Sequence, residues 1–208
     1  MSTASAFRHP RSALKLESSM DQVFDFLRRL YTQQPWCLLS WPAAAMVAGT
    51  CVGVLSKTLT SRLAVVPRSF GGLVGLITAP FVHANVAHLA ANLPAFVVLG
   101  ALVLRRHPER FVETVVPIAL SEGVLLWLLG RKAAHVGMSG VIFGFLGYLL
   151  AVAWRTQTAP DLLVGGGVLL FYGGMLAGLK PVRDGTSWEG HLFGLLAGIG
   201  VAYLGSTA

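Results

Sequence analysis

Charge is scarce in this chain of 208 residues. Only 12% of the residues are Asp, Glu, Lys or Arg, whereas an ordinary soluble domain has about 25%. Hydrophobic residues make up 54% of the chain, and its mean hydropathy is +0.67. This composition excludes an ordinary water-soluble domain and predicts an integral membrane protein.

Residues that form disulfides or bind metals are also few. The two cysteines, Cys37 and Cys51, lie in one apolar run, and on a single helix they would be about 21 Å apart. That distance excludes a bond between them. The sequence has no CxxC motif, no Cys/His cluster and no HExxH motif. A zinc metalloprotease therefore loses its main support, and we expect neither a metal nor a cofactor.

An extended basic face is missing as well, although the formal net charge is +7 and the pI is near 10. The Lys and Arg residues occur in short clusters between apolar runs. Nucleic acid binding needs basic residues gathered on one face, so this distribution argues against it. We expect the lipid bilayer, and no nucleic acid, as a partner.

The N-terminal region lacks the apolar core and cleavage site of a secretory signal. Residues 1–17 are polar and basic, and apolar residues recur at helical spacing in the stretch that follows. We predict that residues 1–35 form a cytoplasmic tail with an amphipathic helix on the membrane surface. A helix that binds a partner, or that is simply solvated, is the alternative.

The rest of the chain contains apolar runs long enough to cross a bilayer, and the last of them, 191–204, is a shorter apolar segment. They predict a single all-α domain over 36–208, with spans at 36–56, 84–104, 111–130, 136–154, 162–179 and 191–204. The apolar piece 70–82 is too short and too rich in Gly and Pro to span, so it should lie at the interface or dip in and out.

Positive charge gives the expected orientation of these spans. With the N-terminus inside, nine Lys and Arg residues face the cytoplasm and seven face outward. The positive-inside rule therefore favours a cytoplasmic N-terminus in a multi-pass protein, which we expect in a bacterial inner (plasma) membrane.

Polar side chains fall at the starts of the second, fourth and sixth predicted spans. Among them are His83, His88 and Asn92, then Ser139, and finally His191. Even-numbered spans run in the same direction, so their first turns lie in the same leaflet. Polar groups in a membrane are costly and usually face the bundle interior or a cavity, which makes this common depth informative.

These residue types suit acyl transfer. A serine needs a base and oxyanion donors before it becomes an effective nucleophile. Asn92 shares a helical face with His88 and has an amide donor, and the Ser139 N–H near a helix start is another. Small residues on the sixth span, Gly194 and Gly198, would let it approach the fourth span closely.

The fourth span offers a matching surface in Gly140, Gly144 and Gly147. Packing these two spans closely would bring the His191 imidazole within hydrogen-bond reach of Ser139.

The pattern His83-x4-His88-x3-Asn92, then Gly137-Met138-Ser139-Gly140, then Gly190-His191-Leu192-Phe193-Gly194 resembles the rhomboid family of intramembrane serine proteases. The resemblance runs from about the first span to the end. It implies a six-helix rhomboid-like bundle that cleaves substrate proteins in or beside a transmembrane segment.

The resemblance also implies roles for individual residues. Ser139 is the expected nucleophile and His191 the base, with Asn92, His88 and the Ser139 backbone around the oxyanion. Phe143 stands where the family often has an aromatic ring against the histidine. The family's Trp-Arg pair in the first outer loop is missing, and only Arg68 comes near it.

Other residues compete for these roles. His135 lies four before Ser139, but we expect it in a solvated loop. Glu189 and Asp184 would be candidates for a third catalytic group, but we expect both at a water-exposed rim, and we predict a dyad.

Two other functions fit the same polar cavity. A catalytically silent rhomboid-like protein would bind membrane clients, although such proteins typically lose the serine or the histidine. A transporter or channel would need charged groups near mid-bilayer, and this chain has few.

Overall fold

The computed structural model describes residues 34–181 and 186–205. The predicted tail and surface helix, up to residue 33, lie outside the described residues, and so does Asp184. The described part of the chain is helical and has no β-strand, apart from one isolated antiparallel bridge. The predicted all-α fold is confirmed for these residues.

Eight α-helices occur in these two described stretches: α1 Cys37–Leu55, α2 Lys57–Leu63, α3 Gly75–Thr78, α4 Val86–Arg106, α5 Phe111–Leu129, α6 Ser139–Thr156, α7 Ala159–Tyr172 and α8 Trp188–Leu204. Short 3₁₀ segments accompany them: Phe70–Leu73, Ala79–Phe81, Pro108–Arg110 and Gly173–Leu179.

Five helical segments are long and apolar enough to cross a membrane: Cys37–Leu55, Val86–Arg106, Pro108–Leu129, Ser139–Thr156 and Ala159–Leu179. The sixth predicted span corresponds to α8, which has 17 residues, one fewer than the shortest of the five. Five candidate spans are therefore present, and a count of six stays a prediction.

Helix α6 lies at the centre of the bundle and is packed most extensively against α8. In α6, 67% of the 18-residue apolar window is buried, against 11 to 28% in the other four spans. Glycines explain this close packing. A Cβ atom added to Gly194 would lie 1.9 Å from the carbonyl oxygen of Gly140, and one added to Gly198 would lie 1.9 Å from that of Gly144.

The segment between α1 and α4 does not span. After α2, three short helical pieces follow in it: Phe70–Leu73, Gly75–Thr78 and Ala79–Phe81. Two main-chain contacts attach the segment to the residues before Ser139: Val65 and His135 exchange a pair of hydrogen bonds of 2.9 Å, and Gly137 N–H donates to the Ala79 carbonyl at 2.9 Å. The loop thus supports the start of α6.

Arg68 and a tryptophan do meet in this loop, but the tryptophan comes from a different part of the chain. The Arg68 guanidinium donates to the Leu128 carbonyl at 2.9 Å, and Trp127 Nε1–H donates to the Ser69 carbonyl at 2.9 Å. Both partners in α5 lie near its C-terminal end. The loop is therefore attached to α5 by side chains that are nearly 60 residues apart in the sequence.

Several predicted boundaries differ from the observed ones, and two of these differences lie next to the candidate site. The fourth span was expected from residue 136, but α6 begins at Ser139 because Gly137 has φ +112° and cannot be helical. The fifth was expected over 162–179, whereas α7 ends at Tyr172 and a 3₁₀ segment continues to Leu179.

Candidate active site

Ser139 is the first residue of α6. The chain reaches it through Gly137, whose backbone lies in the left-handed region at φ +112°. A Cβ atom at this glycine would lie 2.7 Å from His88 Cε1, so only glycine fits both the conformation and the space. Because the first N–H groups of a helix lack intrahelical partners, the Ser139 N–H is available beside its own hydroxyl.

The structure brings Ser139 and His191 together from α6 and α8. The Ser139 Oγ lies 3.0 Å from His191 Nε2, and His191 Nδ1 lies 2.9 Å from the Gly178 carbonyl oxygen. A carbonyl only accepts hydrogen bonds, so Nδ1 carries the proton and donates. Nε2 is then free to accept from the serine hydroxyl, which is the arrangement that a general base requires.

An aromatic ring packs against one face of the imidazole. Phe143 is stacked on His191 with ring centroids 4.3 Å apart and an interplanar angle of 9°. Phe143 is buried and follows Ser139 by one helical turn. The 3₁₀ segment closes the edge of the ring, since a Cβ atom on Gly178 would lie 3.1 Å from His191 Nδ1.

Asn92 and His88 line one cavity with Ser139 and His191, and its volume is about 680 Å³. The Asn92 amide donates to the His88 carbonyl at 2.8 Å, and Asn92 is only 6% exposed. Each amide nitrogen has two N–H groups, so a second donor remains. The Asn92 Oδ1 is buried without a hydrogen-bond partner among the described residues.

His83 is fully buried behind this cavity. Thr50 donates its hydroxyl proton to the Met46 carbonyl at 2.7 Å, so its oxygen accepts from His83 Nδ1–H at 3.1 Å. His83 Nε2 is then an acceptor, and Met138 N–H approaches it at 3.4 Å. Burial, together with the nearby His88, lowers the pKa of His83 to about 4. The neutral ring thus supports the residue immediately before Ser139.

Two residues lie in environments that the sequence did not predict. His135 is 4% exposed rather than solvated, because its main chain pairs with Val65 and its ring contacts Ser187 at 2.7 Å. Glu189 is 5% exposed rather than at a rim, because it pairs with Arg131 at 3.6 Å. Those two predictions were wrong, and in both cases the cause is a contact between distant segments.

Sequence reasoning missed Gly178 and Thr50. A main-chain carbonyl such as that of Gly178 leaves no signature in the residue type, and Thr50 lies in a predominantly apolar helix without charged residues. Glu122 is buried as well, and a Cβ atom on Gly140 would lie 2.5 Å from its carboxyl carbon. Within residues 34–181 and 186–205, no three His, Cys, Asp or Glu side chains converge as metal ligands would.

Comparison with known proteins gives the family. The Rhomboid domain family model matches residues 71–208. Proteins of Mycobacterium bovis and Mycobacterium tuberculosis, both named as uncharacterized, are 40% identical over 147 residues, covering 66% of this chain and 61% of theirs. An uncharacterized Mycobacterium leprae protein is 38% identical over 141 residues, covering 64% of this chain and 56% of its own.

The matched stretch thus spans less than two thirds of these mycobacterial relatives. Within this chain, the family match begins at Gly71, in the first 3₁₀ segment, and continues to the last residue. It therefore contains the whole Ser139–His191 site. This multi-pass helical membrane protein belongs to the rhomboid family.

Proposed function

We propose that the chain is an intramembrane serine endopeptidase that cleaves substrate proteins in or next to a transmembrane segment. One observation carries the proposal: the Ser139 hydroxyl lies 3.0 Å from the ring nitrogen of His191 that is left unprotonated by the bond to Gly178. A serine in contact with a correctly oriented base is the minimum arrangement for nucleophilic catalysis.

The reaction follows from this geometry. Ser139 Oγ attacks the peptide carbonyl while His191 Nε2 takes the hydroxyl proton, and the carbonyl oxygen becomes an oxyanion. The Ser139 N–H, the Asn92 amide and His88 stabilise this charge. His191 then gives its proton to the departing amine. A water molecule, deprotonated by the same ring, releases the acyl group and restores the serine.

The surroundings of the site support the proposed substrate class. The cavity is lined by residues from the first turns of α4, α6 and α8, in a bundle with five apolar candidate spans, which supports a polypeptide substrate that is itself part of a membrane protein. The family resemblance implies small residues at the cut and a substrate helix that unwinds easily. The proposed chemistry draws on no metal or cofactor.

The proposed orientation places the N-terminus in the cytoplasm of a bacterium and Ser139 near the outer leaflet of its inner membrane. A cysteine at Ala134 in a protein lacking Cys37 and Cys51 should react with a membrane-impermeant maleimide from outside. A cysteine at Gln157, at the opposite end of α6, should react only after the membrane is opened. The reverse pattern would invert the orientation.

Two rival functions are separated from proteolysis by a serine-directed probe. A fluorophosphonate should label the detergent-solubilised wild type and fail to label Ser139→Ala or His191→Ala. Ser40→Ala, on the exposed side of α1, is the matched control and should label normally. A client-binding or transport protein would not be labelled at Ser139. Labelling of His191→Ala at the wild-type rate would disprove the dyad.

A further inference from the structure

A second serine–histidine contact lies beside the first. Ser187 Oγ is 2.7 Å from His135 Nδ1. The four residues are arranged in register, because His135 stands four residues before Ser139 and Ser187 stands four before His191. The second contact therefore joins the segments that lead into α6 and α8, the two helices that carry the proposed dyad.

His135 is held in place on three sides. Its Nε2 lies 3.1 Å from the Arg131 carbonyl, which can only accept, so Nε2 carries the proton and Nδ1 accepts from the Ser187 hydroxyl. Its main chain exchanges two hydrogen bonds of 2.9 Å with Val65. A ring fixed in this way is a firm support for Ser187.

Ser187 is connected directly to the dyad histidine. It immediately precedes α8, and its carbonyl accepts a hydrogen bond from the His191 N–H at 3.2 Å. A shift of Ser187 would therefore shift the first turn of α8. Arg131 reinforces the attachment, since its side chain donates to the Thr186 carbonyl and pairs with Glu189 at 3.6 Å.

The contact of Gly194 and Gly198 with α6 fixes how closely the two helix axes approach. Sliding of one helix along the other would also change the distance between Ser139 and His191, which lie on the two helices. A hydrogen bond between the two leading segments opposes this sliding.

We propose that His135 and Ser187 are positioning residues that hold α6 and α8 in register and thereby set the distance between Ser139 and His191. This inference rests on the proposed protease function. Neither residue transfers a proton to substrate in this role. Displacement of a reacting group by about 1 Å can lower a rate about a hundredfold, so the register matters for the reaction.

The experiment measures fluorophosphonate labelling of the full chain in detergent, as the maximal labelling rate and the half-saturating probe concentration. Ser187→Ala and His135→Leu should lower the maximal rate about ten- to a hundredfold and leave the half-saturating concentration unchanged. His135→Asn should recover most of the rate, because its Oδ1 replaces Nδ1 as acceptor for Ser187. Ser121→Ala, on the exposed face of α5, is the control.

Several results would overturn the positioning role of His135 and Ser187. Wild-type rates in both Ser187→Ala and His135→Leu would do so, as would equal losses in His135→Asn and His135→Leu. A fall in melting temperature with an unchanged rate per folded molecule would show a structural role only, and probe attached to Ser187 would make it a nucleophile. If Ser187→Ala does not fold, the two His135 variants decide. Failure of the wild type to label would instead refute the protease proposal.

Discussion

The main-chain carbonyl of Gly178 accepts a hydrogen bond from His191 Nδ1–H at 2.9 Å, on the side of the ring opposite Ser139. A buried carboxylate fills this place in a serine–histidine–aspartate triad. In the described part of the chain, the hydrogen bonds of the His191 ring go to Ser139 and Gly178, while Glu189 pairs with Arg131. A neutral acceptor fixes the tautomer but stabilises the imidazolium less than a carboxylate would.

Gly178→Ala should therefore impair labelling of Ser139. The added methyl would lie 3.1 Å from His191 Nδ1 and 3.4 Å from Phe143 Cζ, tight enough to displace the stacked ring. We expect the fluorophosphonate labelling rate to fall about tenfold. Gly174→Ala, in the same 3₁₀ segment, has nothing within 4 Å of its added methyl and serves as the matched control. Equal rates for the two variants would contradict the role given to Gly178.

Asn92→Ala should remove one oxyanion donor. Loss of such a donor costs about 10²–10³ in kcat, so cleavage of a transmembrane substrate should slow by that factor. Asn85→Ala is the control for a loss of stability in the same helix. The Asn85 side chain caps α4 by accepting a hydrogen bond from the His88 N–H at 2.8 Å. The cap variant should lose about 1 kcal/mol of stability. A normal kcat in Asn92→Ala would remove Asn92 from the oxyanion site.

The sequence predicted the helical membrane architecture and the family because both depend on residue type and spacing. Ser139, His191 and Asn92 lie at the starts of parallel spans. Polar side chains at such positions in a membrane are costly and usually functional. The glycines at 194 and 198 also indicated a close helix contact. These signals depend on residue type, which can be read directly from the sequence.

Other features could not be predicted because they arise from contacts between distant segments. The Gly178 carbonyl is main chain, so no residue type marks it. His135 and Glu189 looked solvated because their partners, Val65 and Arg131, are far from them in sequence. The start of α6 was placed three residues early because a glycine allows both helical and left-handed backbone, and only the fold selects φ +112° at Gly137.

His83 should make the stability of the protein depend on pH. Its folded-state pKa of about 4 lies below the ordinary value of 6.5 because the ring is buried beside His88. Between these values the ring of His83 is more protonated in the unfolded chain than in the folded one, so the contribution of His83 to stability is complete above pH 6.5 and is lost as the pH drops toward 4. Unfolding in detergent, followed by circular dichroism at a series of pH values, measures this fall.

His83→Gln should unfold with a shallower pH dependence than the wild type over the same range. Ring carbon chemical shifts of labelled histidine, assigned with that variant, report the titration itself. A midpoint for His83 near that of free histidine in the folded protein would refute the prediction.

Helix α8 should tolerate alanine at one glycine and reject it at two others. A methyl on Gly194 or Gly198 would lie 1.9 Å from a carbonyl oxygen of α6, and because the obstacle is main chain, the helices themselves must separate. Overpacking of this kind costs about 3 kcal/mol, and separation would also lengthen the Ser139–His191 contact. Both the melting temperature and the labelling rate should fall.

Gly200→Ala supplies the comparison within the same helix, because a methyl there has nothing within 4 Å. Alanine favours a helix interior over glycine by about 1 kcal/mol, so this variant should be as stable as the wild type or more stable, with an unchanged labelling rate. Opposite signs of the stability change at positions 194 and 200 are the expected result. If Gly194→Ala and Gly200→Ala unfold and label alike, the close contact of α6 and α8 is not what brings His191 to Ser139.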